Sequence, residues 1–215
     1  MEPFRVELSL STNRIASDAI HLDGLLAAIA VELAQGDAST ADSLPLEQYQ
    51  GVYKASYLLM PVIWRDRMTH IRKADFWQTA MDKDDSYVSR GNLFSMGSGP
   101  YKGYLFTRST CQSPKVVAYG VGVIDKVSEL LAHVRSVGPL QRLSAGLVAT
   151  AEVFPDKDAG ELWKLRNMPH EIPGYEPMIG GLKAPYWKRE HHQAVWMPTR
   201  SMLRSVEQRF AKSKV

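Results

Sequence analysis

With 215 residues, 45% of them hydrophobic and 23% charged, the chain has the composition of a soluble globular protein long enough to bury a real core, as one elaborated domain over residues 1–215. Cys111 is the only cysteine, which excludes an internal disulfide and a multi-cysteine zinc site and fits a reducing cytoplasm, and no run approaches the ~18 apolar residues of a membrane span. The net charge of +3 is uneven: residues 1–134 hold 13 basic and 15 acidic side chains, residues 135–215 hold 13 and 8, so a polyanion is expected on the C-terminal part.

Residues 4–10 alternate Phe4, Val6, Leu8 and Leu10 with Arg5, Glu7 and Ser9, the pattern of a half-buried strand, and so leave no room for a charged-then-apolar signal peptide. Residues 21–34 are apolar on most faces and predict a buried helix, with Asp23 at its positive end. Gly36, Ser39, Thr40, Ser43 and Pro45 mark residues 35–50 as a surface connection, and residues 56–63 predict a second strand whose Pro61 suggests an edge or bulge. Over residues 64–108 periodicity fades: eight Lys or Arg alternate with Trp64, Phe76, Trp77, Tyr87, Phe94, Tyr101 and Tyr104, and glycines punctuate the second half. Such an insertion is either a projecting hairpin that tracks a nucleic-acid backbone or a solvated excursion whose aromatics cover the sheet.

Residues 102–110 and 115–121 predict two strands joined by a turn at Ser113-Pro114. Val127, Leu130, Leu131 and Val134 recur at helical spacing, and Gly138-Pro139 ends that helix. A glycine-cornered turn carrying Arg142 then leads into a strand at 147–153, where backbone N–H groups and one arginine suit either a phosphate or an ordinary turn. Proline and glycine predict mostly loop over 155–185, with a short strand at 194–197. An amphipathic helix over 199–212 is capped by Thr199, with Met202, Leu203, Val206 and Phe210 on one face.

This order is the βαββαβ plan of a ferredoxin-like α+β domain, with an insertion at about 64–108 and a C-terminal loop and helix extension at about 155–215. Neither residues 147–153 nor 4–10 carry the paired aromatics of an RRM, so any bound RNA must be held by loops and the insertion. Three passages carry a more specific resemblance: residues 20–27 (IHLDGLLA), residues 137–146 (VGPLQRLSAG) and residues 184–187 (APYW). In these the chain resembles the RAMP superfamily of CRISPR-associated proteins, and most the Cas-five-type subunit that caps the crRNA 5′ handle in type IV effector complexes. Ser144-Ala145 stand where relatives often have glycine and an aromatic.

The resemblance implies a non-catalytic RNA-binding subunit that binds the crRNA 5′ handle through a thumb-like hairpin, here over 64–108. It also implies contacts with the backbone and large subunits and, through the assembled complex, with target DNA. Arg90, Lys102, Arg108 and Arg142 are the expected backbone grips, Phe94, Tyr101 and Trp187 the stacking residues, and Lys188, Arg189 and His191 complete the expected RNA-binding set.

Two other readings stand beside it. Residues 186–192 (YWKREHH) hold every residue type needed for metal-independent crRNA processing, with His191 or His192 as base or acid and Lys188 or Arg189 as the cation. The other is a scaffold that only joins protein subunits. No cofactor is expected, and the six histidines show no metal-binding spacing.

Overall fold

The computed structural model describes residues 1–12, 14–16, 20–62, 64–72, 104–138 and 144–212. Its elements run β1 (Glu2–Leu10), β2 (Arg14–Ala16), α1 (Leu22–Leu33), a 3-10 turn (Ala38–Asp42), β3 (Gln48–Tyr49), β4 (Val52–Tyr53), β5 (Trp64–Arg72), β6 (Tyr104–Gln112) and β7 (Lys115–Gly122). Then follow α2 (Ile124–Leu131), β8 (Val148–Pro155), α3 (Ala159–Leu162), β9 (Tyr175–Gly181), a second 3-10 turn (Arg189–His191), β10 (His192–Pro198) and α4 (Arg200–Lys212). The chain separates into two compact units, one of Met1–Arg65 with Cys111–Val215 and one of Asp66–Thr110.

In the larger unit β1 is the centre of an antiparallel sheet ordered β7, β1, β8, with Val6 opposite Ala118 on one side and Val153 on the other. The alternation read from residues 4–10 sends Phe4, Val6 and Leu8 into one core with Leu22, Leu26 and Ile29 of α1 and Val127 and Leu131 of α2. β7 does not alternate, because both of its faces are covered. Val116 and Ala118 join that first core, whereas Val117 and Tyr119 pack on the opposite face with Tyr57, Leu59, Leu165 and Val206 of α4.

Of the strand expected over 56–63, the described residues 56–62 form no continuous strand. Residues 55–59 run along the outer side of β7 and pair with it by isolated antiparallel bridges, Ala55 to Gly120 and Leu59 to Val117, rather than by a continuous ladder. The reason lies in where the backbone groups go. Ser56 and Leu59 donate to Tyr119 and Val117 at 2.8 and 2.7 Å, while Tyr57 donates away to Leu165 and Leu58 to Ile20, both at 2.7 Å. The Ser56 hydroxyl takes the Tyr119 N–H at 2.9 Å, where a ladder would place a carbonyl.

Residues 155–185, expected to be mostly loop, are so for more than half their length but also hold two regular elements. These are α3 and all of β9, which pairs antiparallel with β10 from Tyr175 opposite Pro198 to Gly181 opposite His192. Pro177 and the neighbouring glycines hid this strand, but a strand paired on one side tolerates a residue with no N–H to donate. β10 in turn is longer than the predicted 194–197.

β5 and β6, whose residues 66–72 and 104–110 belong to the smaller unit, are hydrogen-bonded neighbours. The Thr69 and Thr107 hydroxyls meet at 3.1 Å and the Thr110 hydroxyl reaches the Asp66 carbonyl at 3.4 Å, so one strand descends as the other climbs. Part of the stretch read as aperiodic is therefore a nine-residue strand, β5.

Candidate functional site

α1 opens without a side-chain cap, and Asp23 in its first turn holds the Gly24 N–H at 3.0 Å. Its carboxylate does not face water, as a charge placed only for the helix dipole would. Asp23 and Arg166 are both 0% exposed and form an ion pair, Arg166 Nη1 to Asp23 Oδ2, at 3.3 Å. The five N–H groups of the guanidinium are shared among six acceptors: besides Asp23, the Tyr53 and Ala55 carbonyls lie within reach of Nη1 (Ala55 at 3.3 Å), the Asn167 carbonyl accepts from Nε at 3.2 Å, and the Leu182 carbonyl and Tyr186 hydroxyl accept from Nη2 at 2.6 and 2.9 Å. The Tyr186 hydroxyl donates onward to Asp23 at 2.8 Å.

This chain of charge-assisted bonds satisfies a buried cation and anion together. Burial opposes the Arg166 charge, but Asp23 and Tyr186 outweigh it and raise the pKa. Burial and then the Asp23 charge push the Tyr186 phenol well above its ordinary value, so it remains a donor. Asn167 extends the network, donating to the Gly181 carbonyl at 2.8 Å and accepting from the Tyr57 hydroxyl at 2.5 Å. His21 lies between two tyrosines, stacked on Tyr186 at 4.1 Å and tilted against Tyr57 at 4.2 Å between ring centroids. Burial, then the Arg166 charge, holds its pKa well below 6.5, so the ring is neutral.

The network fixes residues 182–186 against the start of α1, and a groove of about 970 Å³ opens beside that junction. Its apolar floor comes from Gly24, Ala27 and Ala28 of α1 with Ala41 and Ala184. Gly24 lets the two segments approach closely, since a Cβ at that position would lie 3.1 Å from the Tyr186 ring, which would have to give way slightly. Trp187, 78% exposed, lines the groove with Lys183, Lys188 and His191. Lys183 pairs with Asp42 at 3.8 Å and Lys188 with Glu190 at 3.3 Å, both at the surface.

Of the residues singled out from sequence, Trp187, Lys188 and His191 come together in this groove. Arg189 is exposed in the adjoining 3-10 turn and does not line it. His191 and His192 do not sit side by side on a strand. His191 ends the turn, while His192 opens β10 with Nε2 2.9 Å from the Tyr186 carbonyl. Arg108 belongs to β6 in the smaller unit. Arg90, Phe94, Tyr101, Lys102 and Arg142 lie outside the described residues.

The passages at 20–27 and 184–187 meet face to face through Asp23, Gly24 and Tyr186. Sequence reading missed Arg166, which joins them, along with His21 and Asn167. The available signal was a lone arginine within Trp163-Lys164-Leu165-Arg166-Asn167-Met168, a stretch rich in large apolar residues.

The sequence profile of the family described as CRISPR type IV associated protein Csf3 matches residues 2–198, and the chain belongs to that family. Among solved structures, the crystal structure of a CRISPR protein from Archaeoglobus fulgidus is similar at 14% identity and a TM-score of 0.31, over 92% of this chain and 86% of that chain. No curated protein matches.

Proposed function

We propose that the chain is a non-catalytic RNA-binding subunit of a type IV CRISPR ribonucleoprotein and holds the crRNA 5′ handle in the groove beside α1. Family membership supports a role in a CRISPR complex. The observation that carries the RNA reading is the groove itself, where an exposed indole stands over a floor of small apolar residues with two lysines and a histidine around it. An unpaired base needs a flat apolar surface and an aromatic partner, and its phosphate needs a cation. The surface pairs of Lys183 and Lys188 are each worth no more than about 1 kcal/mol, so both ammonium groups are readily exchanged onto phosphate.

The order β8, β1, β7 with residues 55–59 beyond β7 supports the ferredoxin-like plan of the RAMP superfamily. In the assembled particle the subunit contacts the backbone and large subunits in the cytoplasm and meets target DNA through them. Exposed Met178 and Ile179 on β9 support a protein-facing surface. Arg90, Phe94, Tyr101, Lys102, Arg108 and Arg142 enter this proposal on sequence alone.

Handle RNA binding measured by fluorescence anisotropy across a salt series tests the reading. Trp187→Ala is expected to weaken binding by about 1–3 kcal/mol with little change in salt slope. Lys188→Ala is expected to lower that slope by about one phosphate. Unchanged binding in both variants removes the handle from this groove, and a parent that binds handle RNA no better than unrelated RNA, with the complex still assembling, hands the assignment to the scaffold reading. His191 beside Lys188 favours the processing reading as the second choice. A discrete product from precursor crRNA that vanishes in His191→Ala establishes it.

A further inference from the structure

α4 turns Leu203, Val206 and Phe210 inward onto Tyr57, Leu59, Val117 and Tyr119. Arg200, Arg204 and Glu207, spaced four and three apart, then share a neighbouring stripe of the helix. That stripe borders two adjoining cavities of about 140 and 470 Å³, which share Val62, Arg65, Arg204 and Glu207 in their walls. The charged residues lining them are Arg65, Arg200, Arg204 and Glu207.

Glu207 is already engaged, because its Oε1 accepts the Met60 N–H at 3.3 Å. With that carboxylate ionised, three guanidiniums leave an excess of two positive charges around the opening. Trp64, beside Arg65 in sequence and 64% exposed, lines the larger cavity with Pro61 and Val62. Forked guanidinium donors match phosphate oxygens, and an indole set among them offers a stacking face for a base.

We propose that this face, built from Arg200 and Arg204 of α4 with Trp64 and Arg65, binds a short single-stranded nucleic acid through its phosphates and one stacked base. It is a second contact, made by residues other than those of the groove beside α1, and it stands whether or not that groove holds the guide. An acidic protein segment would use the arginines but leave the indole idle, so the exposed Trp64 favours nucleic acid.

The full chain is titrated with fluorescein-labelled oligo-U and oligo-dT of about ten nucleotides, the scale of one single-strand site. The titration is repeated in a Trp187→Ala, Lys188→Ala background, which separates failure here from failure of the groove. Arg200→Gln with Arg204→Gln is expected to weaken binding at least tenfold and lower the salt slope by about two in both backgrounds. Trp64→Ala is expected to weaken binding with the slope retained. Circular dichroism checks folding, and if the glutamine pair unfolds, Arg200→Lys with Arg204→Lys decides, since it should keep the slope and lose affinity. Parental binding by the arginine variants overturns the proposal. So does parental binding by Trp64→Ala together with displacement by oligoglutamate, which assigns the face to an acidic protein instead. A preference between oligo-U and oligo-dT identifies RNA or DNA as the ligand.

Discussion

Arg166 and Asp23 are separated by 143 residues in the chain yet share a buried bond, and this pair sets the geometry of the groove. Removing one partner strands the other's charge away from water, which typically costs about 3–5 kcal/mol. Arg166→Met or Asp23→Leu is therefore expected to lose about that much stability by chemical denaturation. A loss under about 1 kcal/mol in both would mean the pair is not holding the junction. His21 adds a pH dependence of defined sign. Its folded pKa lies well below 6.5 through burial and the Arg166 charge, so below about pH 6.5 the unfolded chain binds the extra proton. Its contribution is thus present above pH 6.5 and lost as pH falls below it. His21→Phe, which keeps a ring between Tyr57 and Tyr186, is expected to flatten the decline in stability between pH 6.5 and 5; an unchanged decline would assign it to other groups.

At the scale of elements, what could be read from sequence was whatever depends on neighbouring residues. β1 follows from local alternation, α1 from a run apolar on most faces, and β7 from a continuous apolar run opened by the Ser113-Pro114 turn. Residues 56–63 have strand composition, but their backbone donors are divided among β7, Ile20 and Leu165, which local composition cannot report. β9 depends on β10 for its partner, and its prolines and glycines point locally to loop. Glycines within β7 report tertiary contact in the same way. A Cβ on Gly122 would run into the Pro45 carbonyl, and one on Gly120 would meet the Phe4 ring at 2.7 Å. Gly122→Ala is expected to destabilise by about 1–3 kcal/mol in thermal or urea unfolding, because the obstacle is backbone rather than a side chain that can move. Gly160, with nothing within 4 Å of its would-be Cβ, serves as the tolerant control.

For the molecule as a whole, the basic excess after residue 135 includes Lys183 and Lys188, which line the groove beside α1 together with Trp187. The opposite wall was not legible, because Gly24, Ala27 and Ala28 look like ordinary packing residues of a buried helix. The Tyr186 hydroxyl bonds Asp23 directly, and Arg166, drawn from a third segment, ties both walls together by bonding Asp23 and the Leu182 carbonyl. This gives ligand binding a global readout. The groove exists only when α1 and residues 182–186 are docked, so RNA seated there binds the native state and not the unfolded chain. Stability should then rise as RT ln(1 + [L]/Kd), about 2.7 kcal/mol at a hundredfold excess over Kd. Handle RNA is therefore expected to raise the melting temperature of the parent in a concentration-dependent way. Trp187→Ala with Lys188→Ala should start from a similar melting temperature, since neither residue belongs to the buried network, and should gain less at the same RNA concentration. An equal gain in parent and variant would place the stabilising contact elsewhere on the chain.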